Sequence, residues 1–195
     1  GKIGDTTIVV TSDNGAPCKT TGGVNGGSNW PLRGVKGEFW EGAYRVPAFV
    51  YSSLIEEDQR GTQIDSLVHS TDWLNTLVVG AANLDKTTGD GFNMWPLITG
   101  SDTTVLRDNV PMGLDYKSTE GALVLYTHGS YYKLMLYKSC DGWWAPWDGN
   151  ATVSPDAKLG ETVSDDELDG WCDSSGDKET SYKMYNLSED PSETT

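Results

Sequence analysis

TTIVVTSDNG, residues 6–15, is a β-branched run followed at once by small and polar residues. Runs of this kind fill strands buried on both faces of a parallel sheet, and the sequence therefore predicts an α/β fold with a strand over 6–12. Such a strand needs neighbours. Only five residues precede it, so the expectation is that sequence lying before Gly1 supplies them. At the other end, MYNLSEDPSETT stops where a proline and acidic residues would open a helix, which reads as a chain cut at both ends.

Composition narrows the function classes. The chain has 195 residues, with 29 acidic against 14 basic side chains, a net charge of −15. That sign opposes phosphate backbones and anionic membrane surfaces, which argues against nucleic-acid binding. The sequence contains no apolar run of about 18 residues and no basic-then-apolar leader at Gly1. Two Asn-x-Ser/Thr sequons, at Asn150 and Asn186, and three cysteines fit an oxidising, glycosylating route, either secretion or the lysosome. Cys140 and Cys172 bracket a Trp-rich stretch, and closing that loop would stabilise it by roughly 3–4 kcal/mol in the chain-entropy picture. Cys18 would then be free or paired with a segment outside this chain; sequence alone does not fix the connectivity.

Along the chain, PAFVY at 47–51 reads as a second strand. From Ser70 the spacing of Trp73, Leu74, Leu77 and Val78 predicts an amphipathic helix, with Ser70, Thr71 or Asp72 available to cap it. GALVLYTHGSYYKLMLY, 121–137, has two alternating apolar runs joined at His128-Gly129-Ser130, an antiparallel hairpin signal, and SYKMYNL at 181–187 could add a strand. Residues 139–180 are polar, acidic and aromatic and read as a long loop held by a disulfide. The expected organisation is a piece of a catalytic sheet domain over 1–105 and a small antiparallel subdomain over 106–195.

Chemistry concentrates in two places. Asp13 and Asn14 offer a carboxylate and an amide oxygen just past a strand end, hard ligands for Ca²⁺ or Mg²⁺, although Asp-Asn-Gly is also an ordinary turn. Gly15 is expected to let the backbone turn there. In NWPLRGVKGEFWEGAYRVP, 29–47, Lys36 stands between Gly34 and Gly37, and a compact ammonium beside small residues suits an oxyanion. Arg33, Glu38, Glu41 and Arg45 read as a salt-bridge lattice around it. His69 and His128 read as structural or surface residues. Trp143, Trp144 and Trp147 could stack on sugar rings but read better as a packed satellite cluster, and Asp165-Asp166-Glu167 as a solvated face.

These residues resemble the type I sulfatases, and within them the arylsulfatase B-like (N-acetylgalactosamine-4-sulfatase-like) branch. TIVVTSDNG, GGSNWPLRGVKGEFWEGAYRVP, STDWLNTL, GDGFNMWPLITG, THGSYYKLMLY and MYNLSEDPSE follow one another in that family's order, while 139–180 aligns only loosely. The resemblance implies a sulfuric ester hydrolase of the alkaline-phosphatase-like α/β fold with one Ca²⁺. It implies that Asp13 and Asn14 are the C-terminal pair of Ca²⁺ ligands and that Lys36 contacts the substrate's sulfate during catalysis. Ala43 departs from the family's usual second glycine, and Asn75 stands where proline is common.

The family's nucleophile is a formylglycine hydrate made from a Cys-x-Pro-x-Arg motif, and none of Cys18, Cys140 and Cys172 is followed by that pattern. The first pair of Ca²⁺-ligating aspartates and the catalytic His and Lys residues likewise belong to the family's N-terminal half. The expectation is that this chain alone does not turn over, and that its partner is the missing N-terminal part, which brings formylglycine to a sulfate ester of a sugar or an aryl alcohol. Two other readings stand beside this one. A phosphatase or phosphodiesterase of the same superfamily would be expected to place His beside Asp13, where Asn14 instead supplies oxygen. The other is a non-catalytic extracellular matrix or carbohydrate-binding protein derived from a sulfatase.

Overall fold

Two antiparallel sheets organise the chain. The computed structural model describes residues 1–17, 29–85, 89–104, 106–115, 120–138 and 180–193. Cys18, Cys140, Cys172, Asn150, the Trp143–Trp147 cluster and the 165–167 acidic run lie outside the described residues. The elements are β1 (Thr7–Thr11), α1 (Glu41–Tyr44), β2 (Ala48–Ser52), α2 (Asp72–Asn75), α3 (Trp95–Ile98), β3 (Asn109–Asp115), β4 (Glu120–Thr127), β5 (Ser130–Lys138) and β6 (Thr180–Asn186). They belong to two compact units. The first comprises Gly1–Thr11 and Ala48–Val110, and the second Ser12–Pro47 and Pro111–Thr195.

In the first unit β1 pairs antiparallel with β2, Thr7 opposite Ser52 and Thr11 opposite Ala48. The strand expected over 6–12 is present as Thr7–Thr11, and its partner among the described residues runs antiparallel to it; Val10 is 45% exposed and Phe49 58% exposed. β-branched residues select extended backbone without selecting the partner strand or its direction. Here the partner is the other apolar run, and the Thr7 and Ser52 hydroxyls meet at 2.9 Å across the pair.

The helix expected from Ser70 is shorter and differently turned. α2 is followed by a π-helical stretch, Thr76–Ala81, in which Ala82 N–H donates to the Leu77 carbonyl at 2.9 Å. The buried stripe is polar, Asp72 and Thr76 at i and i+4, whereas Leu74 is 55% exposed. Thr76 Oγ1 accepts from Met94 N–H at 2.9 Å, and Asp72 accepts from Phe92 N–H at 2.8 Å. These side chains face inward because they satisfy the backbone of the 91–94 segment. Thr71, the N-cap, makes no side-chain cap bond, and Asp72 ion-pairs with Arg107.

The four-stranded sheet has the order β3-β4-β5-β6, with β4, β5 and β6 in the second unit. The β4–β5 hairpin closes through His128 and Gly129, both at positive φ (51° and 79°), the pattern of a two-residue hairpin turn whose twist matches its strands. β6 lies beside β5, with Leu134 opposite Met184. Alternation separates the faces: Ala122, Val124, Lys133, Met135 and Tyr137 are buried, while Leu134, Tyr182 and Met184 are exposed. Against the buried face lie Phe39, edge-on to Tyr137 at 5.3 Å, and Trp40, 5.8 Å from Tyr185. No helix among the described residues is long and apolar enough to cross a membrane.

Candidate functional site

Asp13, Asn14 and Lys36 all fall in the second unit, and backbone hydrogen bonds bring their segments together. Lys36 N–H donates to the Ala16 carbonyl at 3.2 Å, and Gly15 N–H donates to the Ala43 carbonyl at 2.8 Å. Asn29 reinforces the junction by accepting from Ala16 N–H through Oδ1 at 2.8 Å. Its Nδ2 donates to the carbonyls of Ala16 and Gly34, both at 2.9 Å.

The glycine after Asn14 has a different role from the one expected of it. Gly15 is not at positive φ; a Cβ there would lie 1.6 Å from the Gly42 carbonyl oxygen. Close backbone approach, not a turn, requires glycine at this position. Gly15→Ala is expected to destabilise the second unit by about 1–3 kcal/mol through overpacking. Gly4→Ala, where a Cβ meets nothing within 4 Å, is expected to stay within about 0.5 kcal/mol of the parent. Urea unfolding of the two variants checks both, and equal midpoints would refute the assignment.

Asp13 is exposed and Asn14 half-buried. Asn14 Nδ2 donates to the Gly15 carbonyl at 2.9 Å, which leaves Oδ1 as the amide atom a hard cation would use. Ser12 Oγ donates to the Asn14 carbonyl at 2.7 Å and steadies the same turn. The donor set is right in kind for Ca²⁺, an exposed carboxylate beside an amide oxygen, but two residues fall short of the six to eight oxygens it takes. Among the described residues no group of three or more His, Cys, Asp and Glu is placed to hold a metal.

Lys36 is exposed at the tip of a tight turn. Gly34 and Gly37 have φ of 86° and 97°, left-handed values that favour glycine. Glu38 closes the turn, its Oε2 accepting from Val35 N–H at 2.9 Å. Burial raises the Glu38 carboxyl above the ordinary range, against the Val35 bond and the nearby Arg33 charge, which lower it. Burial, and then the charges of Glu38 and Glu120, push the Tyr137 phenol up to about 12.

The lattice expected of Arg33, Glu38, Glu41 and Arg45 forms only in part. Arg33 and Glu38 interact electrostatically, but Arg33 also lies 3.9 Å over the Trp40 ring. Glu41 reaches out of the segment to Lys133, at 3.0 Å. Lys133 in turn pairs with Glu193 at 2.9 Å, both side chains being 0% exposed. Sequence reasoning missed Lys133 and Glu193. A signal existed for the first, since Lys133 occupies an inward position of an otherwise apolar alternating strand.

The histidines serve local geometry. His69 Nδ1 meets the Thr71 hydroxyl at 2.9 Å, and His128 sits in the hairpin turn, with Nδ1 2.9 Å from Thr127 Oγ1. Ala43 is buried, with its carbonyl committed to Gly15. Asn75 donates to the Gly91 carbonyl at 2.5 Å. Asn186 Oδ1 accepts from Ser188 N–H at 3.1 Å, within its own sequon.

Residues 1–82 match the sulfatase family model. Arylsulfatase J of Mus musculus is 40% identical over 101 residues, 51% of this chain and 16% of that protein. Steryl-sulfatase of Homo sapiens is 34% identical over 101 residues, 49% of this chain and 17% of that protein. The chain thus spans about a sixth of the length of these relatives. The chain is thus similar to sulfatases over its first 82 residues and over about half its length in each relative, and nothing in the matches selects the arylsulfatase B-like branch.

Proposed function

We propose that this chain is part of an arylsulfatase B-like sulfatase of the alkaline-phosphatase-like α/β fold, in which it contributes the sulfate-contacting lysine and two of the cation's ligands. The observation that carries the reading is the hydrogen bond from Lys36 N–H to the Ala16 carbonyl. It ties the turn bearing the ammonium to the segment bearing Asp13 and Asn14. Charged groups from two distant parts of the chain are thereby fixed in one unit.

On this reading Asp13 and Asn14 hold Ca²⁺ together with ligands from the rest of the protein. Bound there, a hard dication would polarise a sulfate-ester oxygen. Lys36 supplies a second fixed positive charge for the ester's oxygens, without reorganisation at the moment of reaction. Both charges act locally, and screening over about 8–10 Å mutes the many distant carboxylates of a −15 chain. The formylglycine nucleophile belongs to the N-terminal part. The relatives' names specify aryl and steryl sulfates, and the substrate class proposed is a sulfate ester of an aryl alcohol or a sugar. The sequons at Asn150 and Asn186 support a glycoprotein that is secreted or lysosomal.

The test is turnover of an aryl sulfate by the longer protein that carries this chain, with its formylglycine verified by mass spectrometry. Chelation is expected to abolish turnover and added Ca²⁺ to restore it. Asp13→Ala is expected to weaken Ca²⁺ binding, read by calorimetry, by at least about tenfold. The isolated 195-residue chain is expected to be inactive. Chelator-insensitive turnover, or turnover by the isolated chain, would overturn the division of the site.

A further inference from the structure

Both ends of the turn that carries Lys36 converge on one residue at the far end of the chain. Arg33 Nη1 donates to the Glu193 carbonyl at 2.9 Å, and Glu41 N–H donates to Glu193 Oε2 at 2.6 Å. Gly42 N–H closes the base of the same turn on the Arg33 carbonyl at 2.6 Å. Beneath this base Lys133 Nζ lies 3.0 Å from Glu41 Oε1 and 2.9 Å from Glu193 Oε1.

The arrangement is costly as a means of stability alone. Three charged groups are removed from water, where well-packed apolar residues of similar volume would often stabilise as much or more. Glu193 also sits at a φ of 56°, a left-handed conformation that a glutamate keeps only where its surroundings fix it. What the charged, hydrogen-bonded cluster provides is direction: each partner fixes both the distance and the orientation of one end of the turn.

We propose that Glu193 and Lys133 are positioning residues for Lys36. By stapling Arg33 and Glu41 at the base of the turn, they hold the exposed ammonium where the oxyanion is bound. The inference rests on the reading of Lys36 as the sulfate-contacting residue. Neither Glu193 nor Lys133 touches the substrate on this view; they act through the turn.

The experiment is a double-mutant cycle in the protein that carries this chain. kcat and KM for an aryl sulfate, and competitive inhibition by inorganic sulfate, are measured for the parent, Glu193→Gln, Lys36→Ala and the double variant. Glu193→Gln leaves Glu41 to neutralise Lys133, and near-UV circular dichroism verifies the fold. Glu193→Gln is expected to lower kcat/KM by roughly tenfold to a hundredfold in the parent, and by less than about twofold when Lys36 is already alanine. Where Glu193→Gln does not fold, Arg33→Lys takes its place; it keeps the charge, loses the guanidinium bond from Nη1 to the Glu193 carbonyl, and is expected to couple to Lys36 in the same sense. Equal losses in both backgrounds would overturn the proposal while parental turnover leaves the sulfatase reading standing. Absence of sulfate-ester turnover in the formylglycine-bearing parent would overturn both.

Discussion

On the proposed sulfatase reading, replacing Lys36 with alanine is expected to lower kcat/KM of the longer protein for a sulfate ester by about 10²–10³-fold, the range seen when one charge-stabilising donor is removed. The fold is expected to stay intact, within about 0.5 kcal/mol of the parent in urea unfolding. The separation follows from where the residue sits. Lys36 is exposed, so truncation of its side chain forms no cavity. Its structural contact is its backbone N–H on the Ala16 carbonyl, which alanine keeps. The turn is held by Glu38 on Val35 N–H and by the two left-handed glycines, all of which survive the change. Lys36→Arg is expected to recover only part of the activity, because a planar guanidinium is not a compact point charge. Steady-state kinetics on the purified variants, read beside their unfolding midpoints, decides the matter: near-parental kinetics in Lys36→Ala would remove this residue from the site.

How much of this was readable beforehand depends on the range of the interactions. The hairpin at His128-Gly129 was legible because a two-residue turn flanked by alternating apolar runs is a local code, and the structure closes it with both turn residues at positive φ. β6 was legible for the same reason, its alternation matching that of β5. The density of glycine, charge and aromatic residues in 29–47 was plain in the sequence. The junction that draws Ala16 to Lys36 was not, because it is made by Asn29 and backbone groups whose pairing leaves no periodic trace. The ion cluster of Glu41, Lys133 and Glu193 joins residues 92 and 152 positions apart, and no spacing rule reaches so far.

Apolar spacing after Ser70 predicts an amphipathic helix on Trp73, Leu74, Leu77 and Val78, yet Leu74 is exposed while Asp72 and Thr76 are buried. Hydrophobic periodicity finds the inward face only where the interior is apolar. Where backbone donors of a neighbouring loop must be satisfied, short polar side chains take the inward positions.

Asp72 is where that substitution of polar for apolar interior has its largest energetic consequence, and Asp72→Ala is expected to destabilise the first unit by about 3–5 kcal/mol. The carboxylate is 0% exposed and accepts four hydrogen bonds. Arg107 donates Nε to Oδ2 at 2.8 Å and Nη2 to Oδ1 at 2.5 Å. His69 N–H adds one at 2.7 Å and Phe92 N–H another at 2.8 Å. Alanine would strand a guanidinium whose side chain is only 8% exposed, together with two backbone N–H groups, and the Phe92 ring 4.7 Å from Arg107 Cζ offers a cation–π contact but no carboxylate. Burial alone would raise the Asp72 carboxyl, but the bonds from Arg107, His69 and Phe92 and the guanidinium charge outweigh it and hold it below the ordinary aspartate value of 3.8. A carboxyl lowered on folding binds protons more tightly when unfolded. Its contribution is therefore present above about pH 4 and is lost as pH falls through its lowered value. Asp72→Asn, which keeps the shape without the charge, is expected to lose stability at pH 7 and to show a shallower decline on acidification. Urea unfolding followed from pH 7 down to pH 3 tests both halves, and an Asp72→Ala midpoint equal to the parent's at pH 7, with an unchanged acid limb, would show that Arg107 finds its compensation elsewhere.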